Sequence, residues 1–222
     1  MNHLTNKQSE GRNQLVLSTA YLPPIQYFSK FFLAKEIIFD YHETYLKQSY
    51  RNRCTIYGSH GPLDLSIPII KPDGNSTKTK DILIEYTTNW QTVHWRAIVS
   101  AYNQSPFFEV LADEFEPYFH KNVKYLTDWN EMLLQQLTKS LEIDIQWKLA
   151  EDFILDIEEE QDFRTCISPK PRLQKPDNSF HPQNYYQVFI EKKGFQPNLS
   201  IIDLLFNMGS ETTSVIKNSI KV

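Results

Sequence analysis

The sequence predicts an α/β fold: an N-terminal βαβ unit with a small, mainly parallel or mixed sheet, followed by a helical C-terminal half. Residues 15–17 and 37–39 are short apolar runs of the kind that form buried strands. Between them Ile25, Phe28 and Phe32 recur at spacings of three and four, which predicts an amphipathic helix. A strand, a helix and a strand within this length form a βαβ unit, whose strands are parallel.

Prolines and apolar spacing define the expected boundaries of the elements. The first strand ends before Pro23, because the residue that precedes a proline is pushed away from helical angles, and Pro24 suits the first turn of a helix. Three more strands are expected, at residues 54–57, 63–70 and 81–86. Helical spacing predicts later helices at residues 95–102, 106–119, 128–141 and 201–208. The second of these is expected to bend or shorten at Pro117, and the third to be capped by Thr127 or Asp128. Residues 168–184 carry four prolines among polar residues, which predicts an irregular segment.

Composition and charge narrow the class of protein. The chain has 222 residues, of which 14% are aromatic, and a formal net charge of −4. We expect a disordered N-terminal tail at residues 1–13, a single domain at residues 14–210 and a C-terminal tail at residues 211–222. The acidic balance argues against nucleic-acid binding, which usually needs a basic face.

The sequence also indicates a cellular compartment. The first thirteen residues are polar and lack the apolar core of a signal peptide. No apolar stretch approaches the roughly 20 residues that a membrane span needs, so we expect a cytoplasmic protein with no membrane span. Cys54 and Cys166 belong to no metal-binding spacing and are expected to be free, buried thiols. No histidine pair has the spacing of a helical metal site, so no metal is predicted.

Four segments of the chain resemble one known family. In chain order they are Tyr21-Leu22-Pro23-Pro24 with Tyr27-Phe28, residues 47–53 with Ile56, Trp90 and His94 with residues 102–108, and residues 195–209. Together they are similar to the patterns of the WbqC-like family, and they extend over most of the chain. The last segment is the most specific. The first departs from the family pattern, since residues 18–20 replace its Gln-Pro and no Trp-x-Gly follows.

The resemblance implies a class of function but no mechanism. Some WbqC-like proteins are associated with gene clusters for O-antigen and other surface polysaccharides. The resemblance therefore implies a transferase-type enzyme that acts on an activated, nucleotide-linked sugar, a phosphate-bearing small molecule. The alternative is a non-catalytic module that binds a ligand or a protein. No signature assigns a cofactor, an oligomeric state or a catalytic mechanism, so whether the protein is an enzyme stays open.

Basic residues after the second predicted strand form the first candidate site. Lys47, Arg51 and Arg53 are placed there, and ligands of open α/β sheets bind beyond the carboxyl ends of strands. Arginine forks and lysine charges suit phosphate oxygens, so these three residues, with Asn52 and Tyr21, are predicted to bind substrate. The alternative is a solvated edge strand whose charges discourage pairing.

Polar residues on two predicted helices form the second candidate site. His94 is a candidate catalytic base, and Arg96 at the same helix start can bind an anion. Asp203 and Asn207 lie four residues apart and hence on one helix face, with Asp203 the second catalytic candidate and Asn207 a substrate-binding one. The alternatives are a packing role for His94 and a capping-box role for Asp203. The enzyme hypothesis predicts that both candidate sites line one concave pocket.

Overall fold

The computed structural model describes residues 12–70 and 76–221. Its strands, in chain order, are β1 (Arg12–Leu17), β2 (Ala34–Phe39), β3 (Arg53–Gly58), β4 (Gly61–Ser66) and β5 (Gln146–Leu149). The first, second and fifth form a parallel sheet in the order β1-β2-β5. β3 and β4 form a separate antiparallel hairpin.

Helices make up most of the rest of the described chain. They are α1 (Ile25–Ser29), α2 (Trp90–Tyr102), α3 (Phe108–Phe115), α4 (Leu126–Ser140), α5 (Ile190–Lys193), α6 (Ile201–Met208) and α7 (Thr212–Asn218). Because α1 links the parallel pair β1 and β2, the predicted βαβ unit is confirmed, as is the helical C-terminal half. Within residues 12–70 and 76–221, no helix combines the length and apolar character needed to cross a membrane.

Apolar side chains hold the βαβ unit together. Leu15 and Leu17 of β1 pair in register with Ile37 and Phe39 of β2, and all four are at most 1% exposed. Phe28 of α1 is fully buried in the same core. Full burial of such a side chain contributes about 1.5–3 kcal/mol, so these residues position the chain that follows β1.

Several predicted elements differ from the structure. α2 begins at Trp90, so His94 and Arg96 lie within the helix and not at its start, as was predicted. The strand predicted at residues 81–86 was wrong: a 3₁₀ turn at Thr79–Asp81 is followed by residues that form only isolated bridges. The strand predicted at residues 63–70 ends at Ser66. The helix predicted to begin at Pro106 begins at Phe108 instead. It is shortened at Pro117, as predicted, and a 3₁₀ turn follows at Glu116–His120, because proline cannot continue the α-helical bonding.

The packed structure extends beyond the predicted domain limits at both ends. β1 begins at Arg12, and residues 1–11 of the predicted N-terminal tail lie outside the described residues. In the predicted C-terminal tail, α7 packs against α1, and its Ile216 is fully buried. Phe180 and Ile220 also pair in an isolated bridge. Residues 211–221 are therefore packed against the core rather than trailing from it.

Candidate functional site

A buried network of charges occupies the carboxyl ends of β1 and β2. Asp40 directly follows β2 and forms an ion pair with Arg164 at 2.6 Å. Arg51 forms an ion pair with Glu43 at 2.6 Å and also donates to the main-chain oxygen of Arg164. Burial raises the pKa of Glu43, although Arg51 beside it acts in the opposite direction. Because every charge in this network has an opposite partner, the two arginines are neutralised by protein carboxylates.

Polar side chains extend the network and connect three segments. Ser18, directly after β1, donates to the main-chain oxygen of Arg164 at 2.7 Å. Asn130 of α4 donates to the Thr19 hydroxyl at 3.0 Å and to the main-chain oxygen of Arg51 at 2.8 Å. These bonds hold the turn between β1 and α1 against the loop that precedes β3.

Four of the predicted substrate-binding residues have other partners or face solvent. Lys47 and Arg96 are exposed. The Asn52 side-chain amide donates to a main-chain oxygen 2.9 Å away. Arg53 lies on the hairpin of β3 and β4, where it pairs with Asp64 at 3.3 Å. The predicted basic cluster therefore presents its charges in different directions.

Tyr21 and His94 are in direct contact. The Tyr21 hydroxyl lies 2.9 Å from His94 Nδ1, and the two rings stack with centroids 5.7 Å apart. His94 is 4% exposed. Burial lowers the pKa of His94 to about 4, against the opposing effect of a hydrogen bond to the Ser66 backbone. The imidazole is therefore neutral at physiological pH, and a pKa this low makes it a weak base.

Asp203 lies in a fully buried cluster of hydroxyl groups. The hydroxyls of Tyr102 and Tyr185 donate to its carboxylate at 2.9 and 2.6 Å. Burial raises the pKa of Asp203 to about 6, although these hydrogen bonds act to lower it. Asn207, one turn later, donates to the main-chain oxygen of Asp203 at 2.8 Å. Ser200 forms no side-chain cap on α6, so the alternative capping-box arrangement is not formed.

The predicted site residues thus form three groups. Arg51 belongs to the charge network, and the Tyr21 hydroxyl contacts His94. Asp203 accepts hydrogen bonds from Tyr102 and Tyr185. Two neighbouring cavities lie elsewhere on the molecule, and none of these residues lines either of them.

The first cavity, here named the junction cavity, has a volume of about 430 Å³. That volume lies within the usual range for small-molecule sites. Its walls are rich in amide and hydroxyl side chains, with two aromatic residues and one lysine. The lining residues are Gln26, Tyr50, Thr55, Pro62, Cys166, Gln174, Lys175, Phe180, Pro182 and residues 196–199.

Three of the four family-like segments meet at the junction cavity. Gln26 lies between the two matching parts of the first segment, Tyr50 lies in the second and Asn198 in the fourth. The main-chain N–H of Gln26 donates to Asn198 Oδ1 at 2.9 Å, and Asn198 Nδ2 donates to Gln26 Oε1 at 3.1 Å. The N–H of Tyr21 donates to the main-chain oxygen of Tyr50 at 2.8 Å. The segments therefore build this cavity by bonding to one another.

Unusual backbone angles occur in the same three segments. Leu22, Gln48 and Asn198 have φ values of 39°, 55° and 55°. This left-handed region costs a residue other than glycine about 1–2 kcal/mol. Leu22 is held in place by the Ser200 hydroxyl, which donates to its main-chain oxygen at 2.7 Å. Such strain persists where the surrounding structure enforces it, and it is concentrated at binding sites.

The second cavity has a volume of about 460 Å³ and shares Cys166 and Lys175 with the first. Its lining is acidic, and Lys175 pairs there with Glu159 at 2.8 Å.

Cys54 and Cys166 are both free and buried, as the sequence predicted. Burial raises the pKa of Cys166 to about 11, so the thiol stays protonated and is a poor nucleophile.

The proline-rich segment (residues 168–184) forms one wall of both cavities and is anchored to α1. Asp177 accepts from Lys30 Nζ at 2.5 Å and from Gln26 Nε2 at 2.8 Å. Burial acts to raise the pKa of Asp177, but the hydrogen bonds from Gln26, Lys30 and Ser179 outweigh it and lower the pKa. The Lys30 side chain has no exposed surface. This segment is therefore irregular, as predicted, yet tied to the core by a buried ion pair.

The sequence patterns did not identify Gln26, Lys175 or Asn198 as site residues. Asn198 lies inside a segment that resembles the family, which is a signal that could have found it. Gln26 lies between the matching parts of the first segment, where the chain departs from the family pattern. Lys175 lies in the proline-rich segment, where no motif distinguishes it. Its position beside both cavities follows only from the path of the folded chain.

Fold and cavity together define an α/β protein with a polar cleft beside its βαβ unit. The chain belongs to the WbqC-like protein family, whose model matches residues 19–172. An uncharacterized protein of Mycobacterium tuberculosis is 26% identical over 226 residues, covering 91% of this chain and 96% of its own length. No solved structure matches the chain. The family match ends before residues 195–209, the segment in which the resemblance is most specific.

Proposed function

We propose that this chain is a transferase-type enzyme of surface-polysaccharide biosynthesis that binds a nucleotide-linked sugar in the junction cavity. One observation carries the proposal: three family-like segments, far apart in the sequence, meet at this cavity and bond to one another there. Function is a property of the site rather than of the fold, so the place where these segments meet is the first place to seek a ligand.

The chemistry of the lining suits such a ligand. Carboxamides at Gln26, Gln174 and Asn198 can both donate to and accept from sugar hydroxyls. Lys175 can pair with a phosphate oxygen. Lys175 forms an ion pair with Glu159, and the two side chains are 56% and 77% exposed. An exposed ion pair of this kind contributes little stability, so a phosphate can replace Glu159 at small cost.

The predicted catalytic residues stay part of the proposal. His94 and Asp203 are buried and in contact with tyrosine hydroxyls, and neither lines the junction cavity. A role in proton transfer requires a substrate group to reach them. Arg51 and Asn52 hold the loop that leads to β3, which places Tyr50 at the cavity.

Calorimetric titration with a panel of nucleotide-linked sugars tests the proposal. We expect one of them to bind wild-type protein and to bind Lys175→Ala about tenfold to a hundredfold more weakly, the loss of one hydrogen bond to a charged group. Lys35→Ala is the matched control, because Lys35 is an exposed lysine on β2. Binding that is unchanged in Lys175→Ala contradicts the proposed site.

A second measurement separates an enzyme from a non-catalytic module. Mass spectrometry of the bound nucleotide sugar, incubated with candidate donors and acceptors, detects a transferred group as a change of mass. Turnover supports the transferase. Binding without turnover across the panel supports the alternative, a module that binds the ligand without changing it.

A further inference from the structure

β5 is the terminal strand of the parallel sheet and lies beside a groove. Within the described part of the chain, β5 pairs with β2 alone. An open groove of about 530 Å³ is lined by residues 142–145, by Trp147 and by Gln135 and Lys139 of α4. A terminal strand presents unpaired N–H and C=O groups, which can pair with another strand. The groove leaves room for one.

Apolar side chains are exposed where β5 ends. Leu149 is 47% exposed, Phe153 41% and Leu155 80%. Ile143 and Trp147, on the groove, are only partly buried. A terminal strand flanked by exposed apolar residues is prone to pair with another chain, and natural proteins usually protect such edges.

The chain on either side of β5 carries more acidic than basic residues. Residues 142–152 contain one lysine and four carboxylates, at Glu142, Asp144, Glu151 and Asp152. The lysine, Lys148, pairs with Glu36 of β2 at 2.9 Å. A surface of one charge sign attracts a partner of the opposite sign and repels one of its own.

This charge pattern opposes a second copy of the chain as the partner. A two-fold symmetric pair of β5 strands is antiparallel, because the symmetry axis reverses the direction of the strand. Pairing centred between Trp147 and Lys148 sets Asp144 of each copy opposite Glu151 of the other. Like charges directly opposite each other destabilise a strand pair.

We propose that the β5 edge binds an extended, lysine- or arginine-rich segment of a partner protein, which adds a strand to the sheet. Main-chain bonds to β5 provide the attachment, as in other cases of strand addition. Apolar residues of the partner cover Leu149, and its basic residues face Glu142, Asp144 and Glu151. The proposal is independent of the junction cavity and of the function proposed for it.

The test uses the full-length, ¹⁵N-labelled protein and two synthetic hexapeptides. The first alternates lysine and valine; the second has the same charge but carries proline in place of the central valine, which removes a main-chain donor and disfavours a strand. We expect the first peptide to shift the amide signals of residues 146–150 and to slow their hydrogen exchange. We expect the proline peptide to bind about tenfold more weakly, the loss of one or two main-chain hydrogen bonds.

Two variants and one measurement of mass complete the design. Glu151→Lys is expected to weaken binding of the first peptide, and Leu149→Ser to weaken binding of the same peptide without any change in charge. Equal binding of both peptides shows attraction by charge alone and overturns the proposal, as do signal shifts confined to other surfaces. A dimer detected by analytical sedimentation and absent in Leu149→Lys would overturn the proposal, because the β5 edge would then bind a second copy of the chain.

Discussion

Two buried side chains are expected to act on stability in opposite directions as the pH falls. Burial lowers the pKa of His94 to about 4 from 6.5 and raises the pKa of Asp203 to about 6 from 3.8. Below pH 6.5 the unfolded chain protonates its histidine while folded His94 stays neutral, so protons favour unfolding. Between pH 6 and 4 folded Asp203 binds a proton that the unfolded chain binds less tightly, so protons favour folding.

The sizes of the two effects follow from the shifts, since one pKa unit corresponds to about 1.36 kcal/mol. Between about pH 7 and pH 4.5 the His94 shift removes about 2 kcal/mol of stability, and the Asp203 shift adds about 2 kcal/mol. These contributions nearly cancel in the wild-type protein. Removal of either group is expected to reveal the other.

Urea unfolding of wild-type, His94→Gln and Asp203→Asn proteins across this pH range measures both effects. Each variant is compared with wild type at the same pH, so that other titrating groups cancel. We expect Asp203→Asn to become about 2 kcal/mol less stable relative to wild type on acidification, and His94→Gln about 2 kcal/mol more stable. Differences that do not change with pH would refute the burial argument for both groups.

Two further predictions concern the proline-rich segment and the strained backbone. Asp177→Ala removes the carboxylate that pairs with buried Lys30, and we expect the free energy of unfolding in urea to fall by about 3–5 kcal/mol. The double variant with Lys30→Met is expected to regain at least about half of that loss. A double variant no more stable than Asp177→Ala contradicts the ion-pair account. Gln48 is exposed and has a φ of 55°. Gln48→Gly is therefore expected to raise the free energy of unfolding by about 0.5–1 kcal/mol. A loss of stability would show that the Gln48 side chain matters more than its backbone angle.

The fold class followed from local patterns because its signals are local. Apolar runs and helical spacing within residues 15–39 identify the βαβ unit, whose strands pair across a short crossover. The error at residues 81–86 has a different cause. Ile82 and Ile84 are buried, so the alternation was real, but their neighbours form single bridges rather than a strand. Side-chain burial alone does not specify main-chain pairing.

The site was less predictable because partners decide what a residue type does. Arg51 matches a phosphate-binding pattern, yet its guanidinium is taken by Glu43, eight residues earlier. Asp203 lies at a capping-box position, yet its carboxylate accepts from tyrosines on α2 and beyond the proline-rich segment. Such long-range partners leave no periodic trace in the sequence. The same holds for Lys175, which the path of the proline-rich segment brings to the cavities.

A nucleotide-linked sugar is expected to bind where the family-like segments meet. Amide chemical-shift mapping with a nucleotide-linked sugar that binds the wild-type protein tests it directly. We predict that the largest shifts fall on Gln26, Tyr50, Lys175 and residues 196–199, which line the junction cavity. Shifts centred instead on Arg53 or Arg96, with the cavity residues unchanged, would contradict it.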